Sequence, residues 1–234
     1  MSGMKLTVLL PCFNEEKGIK GVIEEIKKVL SSYPAPYEIL VVDDGSTDNS
    51  RQLALDCGVR VESHGQRRGS GAARKTGIRK AGGEIIATLD ADGSYDPSAL
   101  PQMLKLIESC DQVNGQRTAE QGCFKPLRRM VKGFIRCLVR MIGRVNIADL
   151  NTGFKVFRKT DMLPYLERIP DGFSCVTTMT MLYLADGKRM KFLPVAYRPR
   201  KGASKFHPFK DTWAFYKTAI KTALLVRKTN PFPM

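Results

Sequence analysis

The sequence predicts an α/β fold in which a mostly parallel central sheet is flanked by helices. Strand-like and helix-like segments alternate through the first half of the chain, and the strand-like segments are almost continuously apolar, as expected when both faces of a sheet are covered. Polar residues gather directly after the predicted strands, where parallel sheets bind their ligands. The 234 residues, 43% of them hydrophobic, are sufficient for one globular domain with a real core.

The first strand and the first helix are predicted from two different patterns. Residues 5–10 form an apolar run that Pro11 stops, which is typical of a buried strand. Residues 18–30 place Ile19, Ile23 and further apolar side chains at helical spacing. A strand followed by an amphipathic helix is the repeating unit of a parallel sheet.

The same alternation continues to residue 89. The apolar run at residues 37–42 predicts a second strand, and Ser46 is predicted to cap a helix over residues 46–57. The remaining elements are a weaker third strand, a third helix and a fourth strand, predicted at residues 59–62, 70–81 and 84–89.

Acidic residues follow three of the four predicted strands. The loops concerned read PCFNE, DDGSTD and DAD, at residues 11–15, 43–48 and 90–92. Because the carboxyl ends of parallel strands lie at one edge of a sheet, we expect these three loops to converge there. The sequence therefore predicts an acidic ligand-binding edge in a chain that is basic as a whole.

Asp90 and Asp92 are the candidate metal ligands at this edge. Two hard carboxylate ligands one residue apart suit Mg²⁺ or Mn²⁺, which keep bound water and also bind substrate phosphates. Without a cation, such close carboxylates repel one another at the end of a buried strand. The alternative is a polar turn in which Asp96 caps the next helix, but that interpretation explains Asp96 alone.

The loop that follows the third strand contains glycine and arginine residues. It reads HGQRRGSGAA at residues 64–73 and leads into a helix, as phosphate-binding loops do. The spacing of Gly65, Gly69 and Gly71 matches neither the P-loop nor the dinucleotide fingerprint. The phosphate-binding signal of this loop is therefore weak by itself.

Composition excludes several classes of protein. The six cysteines show no CxxC spacing, which favours reduced thiols in a cytoplasmic protein over a metal ribbon. The first apolar run is too short for a signal peptide, and no apolar stretch is long enough to span a membrane. The net charge of +15 favours an anionic partner: a nucleic acid, an anionic membrane surface or a phosphorylated substrate.

Five motifs in order resemble family 2 glycosyltransferases of the GT-A (nucleotide-diphospho-sugar transferase) fold, and among them the polyprenyl-phosphate sugar synthases such as the dolichol-phosphate mannose synthases. The motifs are LPCFNE, VVDDGSTD, GSGAARKTGI, DADGSYDP and NTGFKVFR, at residues 10–15, 41–48, 69–78, 90–97 and 151–158. The similarity extends to YRPRKGASK at residues 197–205 and so covers nearly the whole chain.

The resemblance implies a division of roles among the site residues. The nucleotide pocket would be lined by Pro11, Phe13 and Glu15, with Val42 and Asp44 holding the base and ribose and Ala91 touching the nucleotide through its backbone. Asp90 and Asp92 would bind the divalent cation on the donor diphosphate, which Arg117 would also contact, and a basic loop with Arg200 and Lys205 would close over the donor. A departing diphosphate needs its charge neutralised, which agrees with these assignments.

The sequence indicates less about the acceptor site than about the donor site. Asp149 is the best candidate for a general base, with a polar turn residue as the alternative, but a phosphate acceptor is already ionised and needs little base. Two departures from the family pattern bear on the third metal ligand and on the sugar. Ser94 replaces a glutamine or histidine that many relatives carry, and Thr177 and Thr178 replace an acidic residue near the sugar.

Two basic amphipathic helices are predicted in the second half of the chain. Residues 125–144 and 209–226 each combine an apolar stripe with several lysines and arginines, a pattern suited to an anionic membrane surface. The alternative for the first of them is packing on the sheet with a solvated basic face. Arg128 or Arg129 is the predicted partner of a lipid acceptor phosphate. We expect a catalytic domain at residues 1–208 and a membrane-proximal helix and tail at residues 209–234.

These observations predict an inverting, metal-dependent transferase. It would move a single sugar from a nucleotide-sugar, GDP-mannose or a UDP-hexose, to a dolichyl or undecaprenyl phosphate at the cytoplasmic face of a membrane, bound peripherally. The alternative is a soluble sugar or protein acceptor. A processive polysaccharide synthase is disfavoured because the chain has no QxxRW motif. A nucleic-acid-binding module is a distant alternative, since the acidic edge would repel nucleic acid, and we expect no nucleic-acid partner.

Overall fold

A computed structural model of the chain describes residues 5–118, 149–202 and 217. The predicted basic helices therefore lie outside the described residues except for Lys217, and so do Arg128, Arg129 and Lys205 and the predicted domain boundary at residue 208. Within the described part of the chain, no helix has both the length and the apolar character required to cross a bilayer.

A seven-stranded sheet forms the centre of the fold, with strand order β3-β2-β1-β4-β6-β5-β7. The strands are β1 Leu6–Cys12, β2 Tyr37–Asp43, β3 Arg60–Ser63, β4 Ile85–Thr88, β5 Gln112–Arg117, β6 Lys155–Arg158 and β7 Met190–Val195. β1 pairs in parallel with β2 and β4, and β2 with β3. β6 is antiparallel to both of its neighbours, while β5 and β7 pair in parallel.

Helices cover both faces of this sheet. They are α1 Ile19–Val29, α2 Ser50–Asp56, α3 Ser70–Lys80, α4 Leu100–Leu106 and α5 Cys175–Ala185. Shorter helical turns occur at Pro97–Ala99, Ile107–Ser109, Lys159–Met162 and Leu163–Arg168. Apolar side chains of α1, α2 and α4 join one buried cluster, and those of α3 and α5 join another cluster on the opposite face. The predicted mostly parallel sheet with helices on both faces is confirmed.

The predicted helix cap at Ser46 is wrong. Helix α2 begins at Ser50, and the N–H of Ser50 is bonded by the carboxylate of Asp48 (3.0 Å). The hydroxyl of Ser46 instead accepts from the backbone N–H of Asn14 (3.0 Å), which ties two loops of the acidic edge together. Ser46 therefore bonds a residue that is distant in sequence and does not cap the helix that follows it. The predicted cap at Asp96 is confirmed, since its carboxylate accepts from the N–H of Ser98 (2.9 Å).

Candidate functional site

The acidic loops that follow β1, β2 and β4 meet at one edge of the sheet, as expected, and the loop after β3 joins them there. The N–H of Asp44 donates to the carbonyl of Cys12 (2.8 Å), and the N–H of His64 donates to the carbonyl of Asp43 (2.8 Å). β4 ends beside β1, where the N–H of Leu89 donates to Leu9 (3.2 Å). The parallel pairing therefore places the acidic loops next to one another.

Each aspartate of the DAD loop is paired with an arginine. Arg74, on α3, donates from Nη2 to Oδ1 of Asp90 (2.5 Å), while Nη2 of Arg200 lies 3.5 Å from Oδ2 of Asp92. Burial raises the pKa of Asp90, Arg74 opposes that rise, and the neighbouring Asp92 adds to it. The two carboxylates are thus close enough to repel each other, and two arginines offset the repulsion.

Two glycines leave room for this loop. An added Cβ on Gly153 would lie 2.5 Å from Oδ2 of Asp90, and one on Gly18 would lie 2.8 Å from the carbonyl of Ala91. Gly153 belongs to the NTGFKVFR motif and Gly18 stands directly before α1. The close approach of these backbones explains why both positions are glycine.

Arg200 also joins the DAD loop to the first loop of the edge. Its Nη2 donates to Oε1 of Glu15 (2.9 Å) as well as lying near Asp92. The structure therefore brings together three of the residues that the sequence predicted for one site, from positions far apart in the chain.

Arg117 and Asp149 form a two-pronged ion pair. Nε of Arg117 donates to Oδ2 of Asp149 (2.7 Å) and Nη2 donates to Oδ1 (2.8 Å), while the N–H of Asn151 also donates to Oδ1 (3.2 Å). Burial alone would lower the pKa of Arg117, but its bonds to Asp149 outweigh burial and raise it. Both oxygens of Asp149 are occupied, so the geometry favours orientation of Arg117 over proton abstraction by Asp149.

Asp44 is the centre of a buried hydrogen-bond network. Its carboxylate accepts from the backbone N–H groups of Arg68 (2.9 Å) and Gly69 (2.7 Å), and lies 2.8 Å from Nδ1 of His64. Nε2 of His64 in turn lies 2.9 Å from the hydroxyl of Thr76. Asp44 therefore holds the loop over residues 64–69 in place, so any contact with a nucleoside would be shared with this structural role.

The other residues predicted for the nucleotide pocket differ in whether their side chains are exposed. The ring of Phe13 is half-buried, and the guanidinium of Arg67 lies over it at 4.3 Å from the ring centre. Pro11 is partly exposed at the end of β1. The side chains of Val42 and Ala91 are buried in the two apolar clusters, so only their backbones could reach a ligand.

The glycine-rich loop before α3 does not present its N–H groups as a phosphate cradle. The N–H groups of Gly71 (2.6 Å) and Ala72 (3.3 Å) both donate to the carbonyl of Asp171. Lys75 adds an ion pair to the carboxylate of Asp171 (2.5 Å). These contacts satisfy the first turn of α3 internally, and the glycines serve close packing against the segment before α5.

Residues 7–178 match the description "Glycosyl transferase family 2". The chain belongs to glycosyl transferase family 2. The match covers well over half of the chain, and it confirms the resemblance that the five motifs indicated.

Curated relatives of this family 2 chain include two named transferases. It is 29% identical over 225 residues to the low-salt glycan biosynthesis hexosyltransferase Agl6 of Haloferax volcanii, covering 93% of this chain and 54% of the relative. It is 30% identical over 167 residues to dodecaprenyl-phosphate galacturonate synthase of Rhizobium johnstonii, covering 68% of this chain and 49% of the relative. The chain thus spans about half the length of these two relatives.

Solved structures confirm the GT-A fold. Glucosyl-3-phosphoglycerate synthase from Mycobacterium tuberculosis, in complex with Mn²⁺, UDP-glucose and phosphoglyceric acid, superposes with a TM-score of 0.72 at 21% identity. The superposition covers 96% of this family 2 chain and 80% of that enzyme. At this identity the likeness shows a shared fold.

The two aspartates of the DAD loop are the carboxylates of this family 2 chain that could hold a divalent cation. Within residues 5–118 and 149–202, no group of three His, Cys, Asp or Glu side chains is arranged to hold a metal ion. Two neighbouring carboxylates are available instead, Asp90 and Asp92, and donor phosphates and water would have to complete the coordination. Mg²⁺ and Mn²⁺ bind in this way at phosphate-transfer sites.

Ser94 is the position at which the DAD loop departs from the family pattern expected from the sequence. Its N–H donates to Oδ1 of Asp92 (2.9 Å), and its buried hydroxyl has no hydrogen-bond partner among the described residues. The backbone of Ser94 therefore fixes the orientation of Asp92.

Sequence reasoning missed Arg74, which is fully buried beside Asp90. Besides that aspartate, its guanidinium contacts the hydroxyl of Ser70 (2.8 Å) and the sulfur of Cys175 (4.0 Å). A signal was present, because Arg74 stands one turn before the buried Ile78 and so falls on the apolar face of α3. A charged residue on an apolar helix face needs a buried partner, and here that partner is the candidate metal ligand.

Lys155 is a second buried charge that sequence reasoning missed. Its ammonium donates to Oδ1 of Asn114 (2.7 Å) and to the hydroxyl of Thr180 (2.6 Å), and so joins β6, β5 and α5. Burial lowers the pKa of Lys155 to about 7.

The variant Lys155→Met is expected to change how stability depends on pH. Between about pH 7 and pH 10 the unfolded wild type binds a proton at this lysine that the folded protein does not, so its free energy of unfolding should rise with pH relative to the variant. The slope of that difference is at most about 1.4 kcal/mol per pH unit. Urea unfolding of both proteins at several pH values measures it. Parallel stability profiles would show that Lys155 keeps its charge in the folded state.

Proposed function

We propose that this chain transfers a single sugar from a nucleotide-sugar to a polyprenyl phosphate at a membrane surface, with inversion at the sugar. Membership of glycosyl transferase family 2 supports the reaction class. The relative named dodecaprenyl-phosphate galacturonate synthase supports a polyprenyl-phosphate acceptor.

The ion pair of Asp149 with Arg117 is the observation that most supports a phosphate acceptor. A hydroxyl acceptor must lose a proton during transfer, and a free carboxylate or imidazole normally takes it. Both oxygens of Asp149 accept from Arg117, Asp44 is held by its loop, and Glu15 is paired with Arg200. A phosphate oxygen is already ionised near neutral pH and needs no such base. These pairings therefore favour a phosphate acceptor over a sugar or protein hydroxyl.

On the donor side, Asp90 and Asp92 would hold Mg²⁺ or Mn²⁺. The bound ion would supply Lewis-acid neutralisation of the departing diphosphate. Arg117 and Arg200 would add charge-assisted hydrogen bonds to the same phosphates, each already oriented by a carboxylate. Asp149 acts in this scheme as a positioning residue for Arg117.

The remaining contacts are proposed from the family pattern. The nucleoside would lie against a set of residues at the ends of β1, β2 and β4: Pro11, Phe13, Glu15, Val42, Asp44 and Ala91. Lys205 would approach the donor from the segment that follows Arg200, and Arg128 or Arg129 would contact the acceptor phosphate. The basic segments that carry these cations would hold the enzyme peripherally on an anionic cytoplasmic membrane face.

The acceptor is tested by matched lipid substrates. With labelled UDP- and GDP-sugars, we expect transfer to a short-chain polyprenyl phosphate and at least about a hundredfold less to the corresponding polyprenol, because only the phosphate is ionised. 3-Phosphoglycerate serves as a soluble phosphorylated acceptor. Transfer to the polyprenol at a similar rate, or to 3-phosphoglycerate alone, would contradict the proposed acceptor.

A further inference from the structure

Arg200 occupies a position between two carboxylates where a cation would otherwise be needed. Its Nη2 bonds Oε1 of Glu15 (2.9 Å) and lies 3.5 Å from Oδ2 of Asp92. Both acidic side chains are about nine-tenths buried, whereas the side chain of Arg200 is 31% exposed. The guanidinium therefore lies against a candidate metal-binding carboxylate while keeping one side open to solvent.

The backbone that carries Arg200 is fixed to the DAD loop. The N–H of Lys201 donates to the carbonyl of Asp92 (2.9 Å), the N–H of Arg198 donates to that of Ser94 (2.7 Å), and the N–H of Asp96 donates to that of Ala196 (3.3 Å). Residues 196–201 thus run along residues 92–96 as a short antiparallel ribbon. Any change in the contacts of Arg200 can occur by rotation of its side chain, with the backbone held in place.

Arg74, which pairs with Asp90, is held more firmly than Arg200. Arg74 projects from helix α3, is almost fully buried and bonds the hydroxyl of Ser70 as well as Asp90. Among residues 5–118 and 149–202, the side-chain partners of Arg200 are the carboxylates of Glu15 and Asp92, and Arg200 is open to solvent on one side. Of the two arginines, Arg200 is the one that can be displaced.

We propose that Arg200 is a built-in counter-ion that competes with the divalent cation for Asp92 and is released to the donor diphosphate when metal and nucleotide bind together. The inference rests on the donor side of the proposed function. Two cations close to one carboxylate repel each other, so metal alone must move Arg200 away from Asp92 and leave it with Glu15 as its carboxylate partner. A diphosphate gives the displaced guanidinium a new anionic partner. The site would consequently bind the metal–nucleotide complex well and the free metal poorly.

The experiment measures Mn²⁺ binding by the electron paramagnetic resonance signal of free Mn²⁺, with and without UDP or GDP. Arg200→Gln is expected to bind Mn²⁺ alone about tenfold more tightly than wild type, because the competing charge is gone. In the presence of the nucleotide it should bind Mn²⁺ about tenfold more weakly, because the contact with the diphosphate is lost. The opposite signs of these two changes distinguish competition from a simple loss of structure.

Two matched variants serve as controls. Arg200→Lys keeps a cation beside Asp92 and should bind Mn²⁺ alone within about twofold of wild type. Arg198→Gln changes an arginine of the same ribbon that pairs with Glu25 and Asp96, and should change neither affinity. Melting temperatures show whether each variant is folded, and Arg200→Lys also provides the comparison if Arg200→Gln is unstable.

The binding measurements distinguish failure of the inference about Arg200 from failure of the proposed donor site. If wild type binds the Mn²⁺–nucleotide complex but Arg200→Gln shows unchanged or weaker affinity for Mn²⁺ alone, Arg200 does not compete with the metal. If Arg200→Lys behaves like Arg200→Gln, charge is not the cause and the inference is also overturned. If wild type binds neither Mn²⁺ nor its nucleotide complexes, the metal-dependent donor site itself is wrong.

Discussion

Replacing Asp92 with asparagine is expected to lower turnover by at least about a hundredfold, the usual loss when one group that stabilises a developing charge is removed. The amide keeps the shape of the side chain, and its oxygen can still accept from the N–H of Ser94. What is lost is the negative charge that would hold the divalent cation against the donor diphosphate. Initial rates of transfer at saturating Mn²⁺ and donor measure the effect.

Asp96→Asn is the matched control for this prediction. Asp96 lies in the same loop and is also paired with an arginine, Arg198 (2.7 Å), but its carboxylate caps the N–H of Ser98. Turnover of this variant should remain within about twofold of wild type, since asparagine also caps helices. Equal losses in both variants, or full activity of wild type in EDTA, would remove the metal from the mechanism.

A large loss of stability is expected from Gly69→Ala, about 3 kcal/mol in the free energy of unfolding. Gly69 has a φ angle of 113°, which L-residues other than glycine rarely adopt, and an added Cβ would lie 2.3 Å from the carbonyl oxygen of Asp171. Backbone strain contributes about 1–2 kcal/mol and overpacking about 1–3 kcal/mol. Urea unfolding measures the sum.

Gly65→Ala provides the comparison within the same loop. An added Cβ on Gly65 would meet no atom within 4 Å, and its φ angle lies outside the left-handed region. We expect a change of less than about 1 kcal/mol, as for glycine positions that alanine can occupy without strain. Similar losses for the two alanine variants would show that the contact between residues 69 and 171 does not limit stability.

Much of the fold was predictable because its first half repeats one simple unit. The strand at residues 5–10 and the helix at residues 18–30 were recognisable from local periodicity, and the structure moves their ends by only a residue or two. β5, β6 and β7 were not predicted, because the alternation of strands and helices was followed only to residue 89, and β6 also carries Lys155 and Arg158. From sequence alone, Lys155 would be assigned to the surface, because its buried partners on β5 and α5 are recognised only in the folded structure.

The candidate site, too, was predicted in part from local sequence. The placement of Asp90 and Asp92 after a buried strand was sufficient to predict an acidic edge, since parallel strands end together. The cap at Ser46 was predicted wrongly, because a serine beside a helix start was assigned to the nearest backbone N–H. Its actual partner, the N–H of Asn14, lies on another loop.

By itself, the sequence determined the fold class, the family and the edge of the sheet at which the acidic loops meet. These properties follow from hydrophobic periodicity and from short motifs, which are local. Only the tertiary structure decided which charges pair: Arg74 with Asp90, Arg200 with Glu15 and Asp92, and Arg117 with Asp149. Each pair joins residues more than about a dozen positions apart, and burial makes the choice of partner strong. Chain folding, and not local spacing, brings these side chains within hydrogen-bond distance.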